Sequence, residues 1–200
     1  MTRGAPSLGK FVLLTFLWIP PCFAAWYFSA PYHAALAGPL ARTLVDQFAF
    51  GIVSALEQPG IDLVFVTTIK MHAAPGQTAL LLVEVNPLLY TYGLAFFLAL
   101  MLAARAKWWT IPLGAALLLP FQSWGIGFDF LAQVGTKFGP DVSAQASLFG
   151  WRLEAIALGY QIGNLIFPSL IPILLWGFFN RRFIADVLRP RTRAASIQAP

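Results

Sequence analysis

The residues with the most chemical potential in this sequence are one cysteine and two histidines. Cys22 lies in an apolar stretch that holds no charged residue and no histidine. A nucleophilic thiolate needs a base or a positive neighbour, so a buried apolar cysteine is favoured over a membrane cysteine enzyme. His33 and His72 have no Cys, His or paired carboxylates at ligand spacing. The sequence therefore predicts no catalytic residue, no metal site and no cofactor, and we predict that the chain is not an enzyme.

A second group of polar residues lies at the start of the second apolar stretch. Glu84 and Asn86 precede Pro87, and Tyr90 and Tyr92 follow it. A carboxylate at a helix N-terminus is favoured by the helix dipole, and Asn86 can cap a helix that has Pro87 at its first position. The structural interpretation is a joint between two elements. The functional interpretation is a contact point for a partner, formed by Glu84, Asn86, Tyr90 and Tyr92.

A third group consists of amides inside the apolar stretches. Gln161 and Asn164 lie in the fourth stretch on one stripe with Glu154, and Gln122 lies in the third stretch. Amides in membrane spans usually face a bundle interior, where an interhelical hydrogen bond contributes about 0.6 kcal/mol. We therefore interpret Gln122, Gln161 and Asn164 as packing residues. A small transporter is the alternative, but no charged residue lies at mid-membrane depth, where a coupled transporter usually needs one.

The composition places these residues in a membrane protein. The chain is 58% hydrophobic and 10% charged, whereas a soluble domain is about 45–50% apolar and about 25% charged. Apolar residues continue past the small residues of the first stretch, which favours a retained span over a cleaved signal peptide. The sequence predicts an all-α transmembrane fold, a four-helix bundle in one domain over residues 1–200. Its spans are predicted at about 11–30, 87–104, 108–128 and 156–179, each near the length that a helical span needs.

The basic residues predict how these spans are oriented. Nine of the thirteen Lys and Arg residues lie in the two ends of the chain and in the short loop between the second and third spans. Seven of the eight acidic residues lie in the remaining segments. Because cytoplasmic loops carry an excess of Lys and Arg, both termini are predicted to be cytoplasmic. The net charge of +5 is then a topology signal, and no motif supports a nucleic-acid partner. The tail at about 190–200 is predicted to be disordered.

The segment 31–86 is predicted to lie outside the cytoplasm and to have two parts. Over residues 33–57, apolar side chains recur every four positions, which is typical of an amphipathic helix. Ile61–Met71 and Gln77–Val85 are rich in β-branched residues and flank a Pro-Gly pair, a pattern that predicts a small β-hairpin. The helix either lies on the bilayer surface or packs on the hairpin, because an isolated two-stranded hairpin is only marginally stable in water.

Two sequence motifs occur together with this arrangement of predicted spans. One is LWIPPCF at 17–23 in the first span, and the other is VEVNPLLYTYGL at 83–94, entering the second span. With these motifs and this spacing of spans, the chain resembles the exosortase H-associated membrane proteins, which are small bacterial inner-membrane proteins associated with a protein-sorting system. The resemblance implies a role beside an exosortase, a membrane transpeptidase-like enzyme, and it carries over no catalytic residue.

These observations together favour a non-catalytic accessory or scaffold protein of the bacterial inner membrane. Its partners are predicted to be membrane lipids and a membrane protein, namely an exosortase or its substrate. A subunit of another multi-protein membrane complex is the alternative. The predicted contact surface is the hairpin together with the Glu84–Tyr92 joint, since an unpaired hairpin edge can accept another strand.

Overall fold

The structure, a computed structural model, describes residues 8–74 and 77–188. These residues are mostly helical and include one small sheet. The predicted disordered tail, the Pro-Gly pair of the predicted hairpin and the side chain of His72 lie outside the described residues. The elements in chain order are α1 (Leu8–Phe48), β1 (Val53–Glu57), β2 (Leu63–Ala74), β3 (Gln77–Val85), α2 (Leu88–Thr91), α3 (Gly93–Ala103), α4 (Thr110–Ala132), α5 (Pro140–Gln145), α6 (Trp151–Gln161), α7 (Phe167–Phe179) and α8 (Arg181–Leu188).

Among residues 8–74 and 77–188, three helical segments are long and apolar enough to cross a membrane. They are Leu8–Phe48, Thr110–Lys137 and Trp151–Phe179, and Leu88–Ala103 is a shorter apolar segment. A π-helical turn at Gln133–Lys137 extends α4, and a second one at Ile162–Ile166 joins α6 to α7. The third predicted span therefore continues past residue 128, and the fourth begins five residues before 156.

The prediction that the first span and the amphipathic helix are separate is wrong. They form one helix of 41 residues, α1, which contains Pro20, Pro21, Pro31 and Pro39. A proline removes one backbone donor and disfavours a helix locally, but apolar residues on both sides continue the helix through each of them. The helix ends at Phe48 and not at residue 57, because the chain turns at Gly51, whose φ of +73° suits glycine.

The two strands of the predicted hairpin pair antiparallel as β2 and β3, and β1, which was not predicted, adds a third strand in the order β1-β2-β3. Residues of β2 alternate between a buried face and a more exposed face, as a strand with one covered side should. Its buried face packs on α1 and α4 in one apolar core. Between Leu63 and Met71, the buried side chains of β2 are Leu63, Phe65, Thr67 and Ile69.

Side-chain hydrogen bonds stabilise a bulge in β2, where backbone pairing between strands is interrupted. The register with β3 shifts between Val66 and Lys70, and within it the Thr67 hydroxyl donates to the carbonyl of Leu81 at 2.8 Å. The side-chain amide of Gln145 in α5 accepts from Lys70 N–H and donates to Lys70 C=O, both at 3.0 Å. Gln145 thus pairs with the strand as a neighbouring backbone would, which fixes α5 to the sheet.

The helices pack closely where glycines face one another. A Cβ on Gly163 would lie 2.9 Å from Cα of Gly125, so the backbones of α4 and the α6–α7 segment are nearly in contact. The indole Nε1 of Trp124 donates to the carbonyl of Gly159 at 3.0 Å, and the ring of Phe128 covers the same glycine. Gly125, Gly159 and Gly163 therefore serve close packing of these helices.

Candidate functional site

The joint between β3 and α2 places two polar side chains at the surface. Glu84 is at the end of β3 and Asn86 follows it, and both are exposed. The Asn86 side chain accepts a hydrogen bond from Leu88 N–H at 2.9 Å, so it binds one of the donors that the first helical turn leaves free. Pro87 between them is buried, which fixes the direction in which the helix leaves the sheet.

The two tyrosines of the joint lie deeper than the sequence suggests. Tyr90 is only 2% exposed, and its ring packs directly against Gly125 of α4. Its hydroxyl faces Asp129 and Tyr160 without meeting hydrogen-bond geometry with any described residue. Tyr92 is half-buried. Of the four predicted contact residues, Glu84 and Asn86 are therefore the exposed ones, and Tyr90 supports the joint from inside.

Three polar side chains on the helix that begins with α4 form a hydrogen-bonded row that contacts the joint. The Gln133 amide donates to the backbone carbonyl of Glu84 at 3.0 Å and to the Asp129 carboxylate at 3.4 Å. Lys137 donates to the carbonyl oxygen of the Gln133 side chain at 3.3 Å. This row of hydrogen bonds was not predicted from the sequence, although the spacing of four residues between Asp129, Gln133 and Lys137 places them on one helix face.

The predicted packing amides are not brought together by hydrogen bonds. Gln122 is 3% exposed, and neither atom of its amide has a partner among the described residues. Gln161 is exposed and Asn164 is half-buried. Gln122 borders a cleft of about 10 Å³ between α3, α4 and α7, which is roughly the smallest space that admits one water. The cleft is far below the several hundred Å³ of an organic-ligand site.

Both edges of the sheet have backbone carbonyls held by side chains, at Glu84 in β3 by Gln133 and in β1 by Arg42, and the rest of the β3 edge is open. At the β1 edge, the Arg42 guanidinium donates to the carbonyls of Val53 and Ser54 at 3.1 and 3.4 Å. β3 is the last strand in the order, so its far side pairs with no described strand. Leu80 and Leu82 of β3 are 51% and 57% exposed. The open edge therefore carries apolar side chains and leads into the polar joint.

The thiol of Cys22 is free and buried within α1. Its side chain is 5% exposed. A thiol in this position packs as a small apolar group.

Comparison with known proteins identifies the family of the chain. The chain matches the family described as exosortase H-associated membrane protein over residues 5–183. The chain belongs to this family. No curated protein and no solved structure matches it.

The two sequence motifs that carry the resemblance lie close together in the fold of this exosortase-associated protein. The first ends at Phe23, one helical turn before Trp26, and the second contains Thr91. The indole Nε1 of Trp26 donates to the Thr91 hydroxyl at 3.2 Å, and that hydroxyl donates to the carbonyl of Pro87 at 3.0 Å. α1 is thus hydrogen-bonded to the same joint that carries Glu84 and Asn86.

Proposed function

We propose that the chain is a non-catalytic accessory or scaffold protein that binds a membrane protein of an exosortase-type sorting system, either the exosortase or its substrate. The observation that carries the proposal is the family match over residues 5–183, since the family is described by its association with exosortase H. The open edge of β3 and the small volume of the cleft beside Gln122 agree with a binding role.

The proposed location is the bacterial inner membrane, with four spans and both termini in the cytoplasm. The excess of Lys and Arg at the chain ends and in the loop between α3 and α4 supports this orientation. The α2–α3 segment is the shortest of the four proposed spans, with a length of about 24 Å against a hydrocarbon core of about 30 Å.

The proposed contact is strand addition at β3. An edge strand presents unpaired N–H and C=O groups in a row, and an extended partner segment can hydrogen-bond to them. Side chains on such an edge add specificity, and here Leu82 and Glu84 are exposed on the same face of β3. Asn86 lies at the end of the strand, where the partner segment would approach the membrane.

A photo-crosslinking residue at Leu82 tests the proposal. In cells that also express the exosortase of the same bacterium and its sorted substrate, we expect a covalent adduct between Leu82 and one of these two proteins. The matched control is Leu174 in α7, which is 56% exposed where Leu82 is 57% exposed. The adduct is expected at least several-fold more strongly at Leu82 than at Leu174.

Two outcomes would contradict this proposal. Equal adducts at Leu82 and Leu174 would mean that contact with the sorting proteins is unspecific. An adduct at Leu82 with a different membrane protein would assign the chain to another complex. Mass spectrometry of the adduct identifies the partner in each case.

A further inference from the structure

The helix α1 is about twice as long as a membrane span. Its 41 residues measure about 60 Å along the axis, whereas the hydrocarbon core is about 30 Å thick. Its exposed apolar side continues beyond the first twenty residues, through Tyr32, Leu36 and Leu40, which are 75%, 57% and 47% exposed. An upright α1 would hold this stripe, defined as Tyr32, Leu36 and Leu40, in water.

The first half of α1 runs along the bundle. Phe11 stacks on Trp176 of α7, with ring centroids 5.2 Å apart, and Trp26 reaches Thr91 of α2. Phe11 and Trp26 are about 22 Å apart along α1, and their partners lie in two different helices of the bundle. This half of α1 therefore packs against the other helices.

The second half of α1 does not continue in this direction. A Cβ on Gly127 of α4 would lie 3.2 Å from the carbonyl oxygen of Ala41, and the ring of Phe128 packs on Phe48 at 5.1 Å. Trp26 reaches Thr91, and the neighbouring Tyr90 packs on Gly125 of α4. From Trp26 to Ala41, α1 therefore advances about 22 Å along its axis, while its contacts on α4 move only about 3 Å, from Gly125 to Gly127. This part of α1 runs across α4 and not along it.

The same contacts give the height at which α1 crosses. Gly127 is about 26 Å from the start of α4 at Thr110, and α4 continues beyond it to Ala132. The second half of α1 therefore adds little height along α4, with Pro31 and Pro39 inside it. A height of about 26 Å is close to the edge of a hydrocarbon core of about 30 Å.

We propose that the second half of α1, from Tyr32 to Phe48, is an interfacial helix whose stripe contacts lipid at the boundary between acyl chains and headgroups. Its opposite side is buried against α4 and the sheet through Ala34, Ala37, Ala41 and Val45. The stripe continues the exposed apolar side of the first half, where Phe28 is 78% exposed. One further turn along the same face, Thr43 and Gln47 are polar and exposed, as expected where the helix leaves the lipid. This surface does not depend on the proposed partner.

Spin labels at single cysteines test this proposal in the purified full-length chain in phospholipid nanodiscs. Cys22 is replaced by alanine, and cysteines are placed at Leu36 and Leu40. Leu17→Cys reports the lipid-facing first half, and Gln47→Cys reports the polar end of the same face. We expect labels at Leu36 and Leu40 to collide readily with oxygen, as at Leu17, and several-fold less often with a water-soluble nickel chelate than at Gln47.

Collision with the nickel chelate at Leu36 and Leu40 as frequent as at Gln47 would overturn the proposal, because the stripe would then face water. Low collision with both reagents would also overturn it, since a second copy of the chain would then cover the stripe. Unchanged elution on size exclusion verifies that each variant is folded. If Cys22→Ala disturbs the fold, the same labels are placed in the chain that retains Cys22, whose thiol is buried.

Discussion

Replacing Gly163 by alanine is expected to lower the thermal unfolding temperature of the protein, because the new methyl group has no room between two backbones. Its Cβ would lie 2.9 Å from Cα of Gly125, and a main-chain atom cannot rotate away as a side chain can. α4 and the α6–α7 segment must then separate, which disturbs the Trp124 hydrogen bond to Gly159. Overpacking of this kind costs about 1–3 kcal/mol. Circular dichroism of the protein in detergent measures the change.

The matched control is Gly177→Ala in α7. There the nearest atom to the new Cβ is Cδ1 of Ile184 at 3.6 Å, an ordinary van der Waals contact. Alanine is the better helix former by about 1 kcal/mol, so this variant is expected to be unchanged or more stable. An equal loss of stability in both variants would show that close approach at Gly163 is not what stabilises the bundle.

The sequence predicted the elements that have strong local signals. β3 has the predicted bounds of Gln77–Val85, and the α2–α3 segment begins one residue after the predicted start at residue 87. Both boundaries coincide with turn and cap chemistry, a Pro-Gly pair before the strand and Asn86-Pro87 before the helix. Such signals act over a few residues, so they can be recognised without the rest of the fold.

The end of α1 and the strand β1 could not be predicted because long-range contacts determine them. The apolar repeat of four residues continues through Ile52 and Leu56, which favours a longer helix. In the structure Leu56 pairs with Phe65 in the sheet, and Arg42 covers the carbonyl of Val53. A strand of five residues has little intrinsic preference, so pairing with β2 overrides the helical period.

Long-range contacts also explain why only part of the geometry of the candidate site could be predicted. Glu84 and Asn86 are exposed as a contact surface requires, but the depth of Tyr90 follows from its packing on Gly125 in another helix. The supporting row of hydrogen bonds through Gln133 reaches the backbone of Glu84, 49 residues earlier. Every residue has a backbone carbonyl, so the residue type at position 84 does not indicate that a distant side chain binds there.

Replacing Phe65 by alanine is expected to detach the sheet from the helices while the chain still inserts into the membrane. Phe65 is fully buried at 0% exposure, and its ring lies 4.6 Å from that of Phe130 in α4. Truncating a buried phenylalanine costs about 3–5 kcal/mol, which is large for a sheet of three short strands. We expect protease cleavage within residues 53–85 to become much faster and the proposed crosslink at Leu82 to be lost.

Val66→Ala is the control, because Val66 is the next residue of β2 and points to the opposite, half-exposed face. It is expected to cost less than about 1 kcal/mol, since a smaller part of its side chain leaves an apolar environment. Limited proteolysis of both variants in nanodiscs measures the difference. If Phe65→Ala resists proteolysis as well as Val66→Ala does, the sheet is stable without the helices beneath it. If Phe65→Ala loses the sheet but retains the crosslink to the sorting protein, the partner binds the helices and not β3.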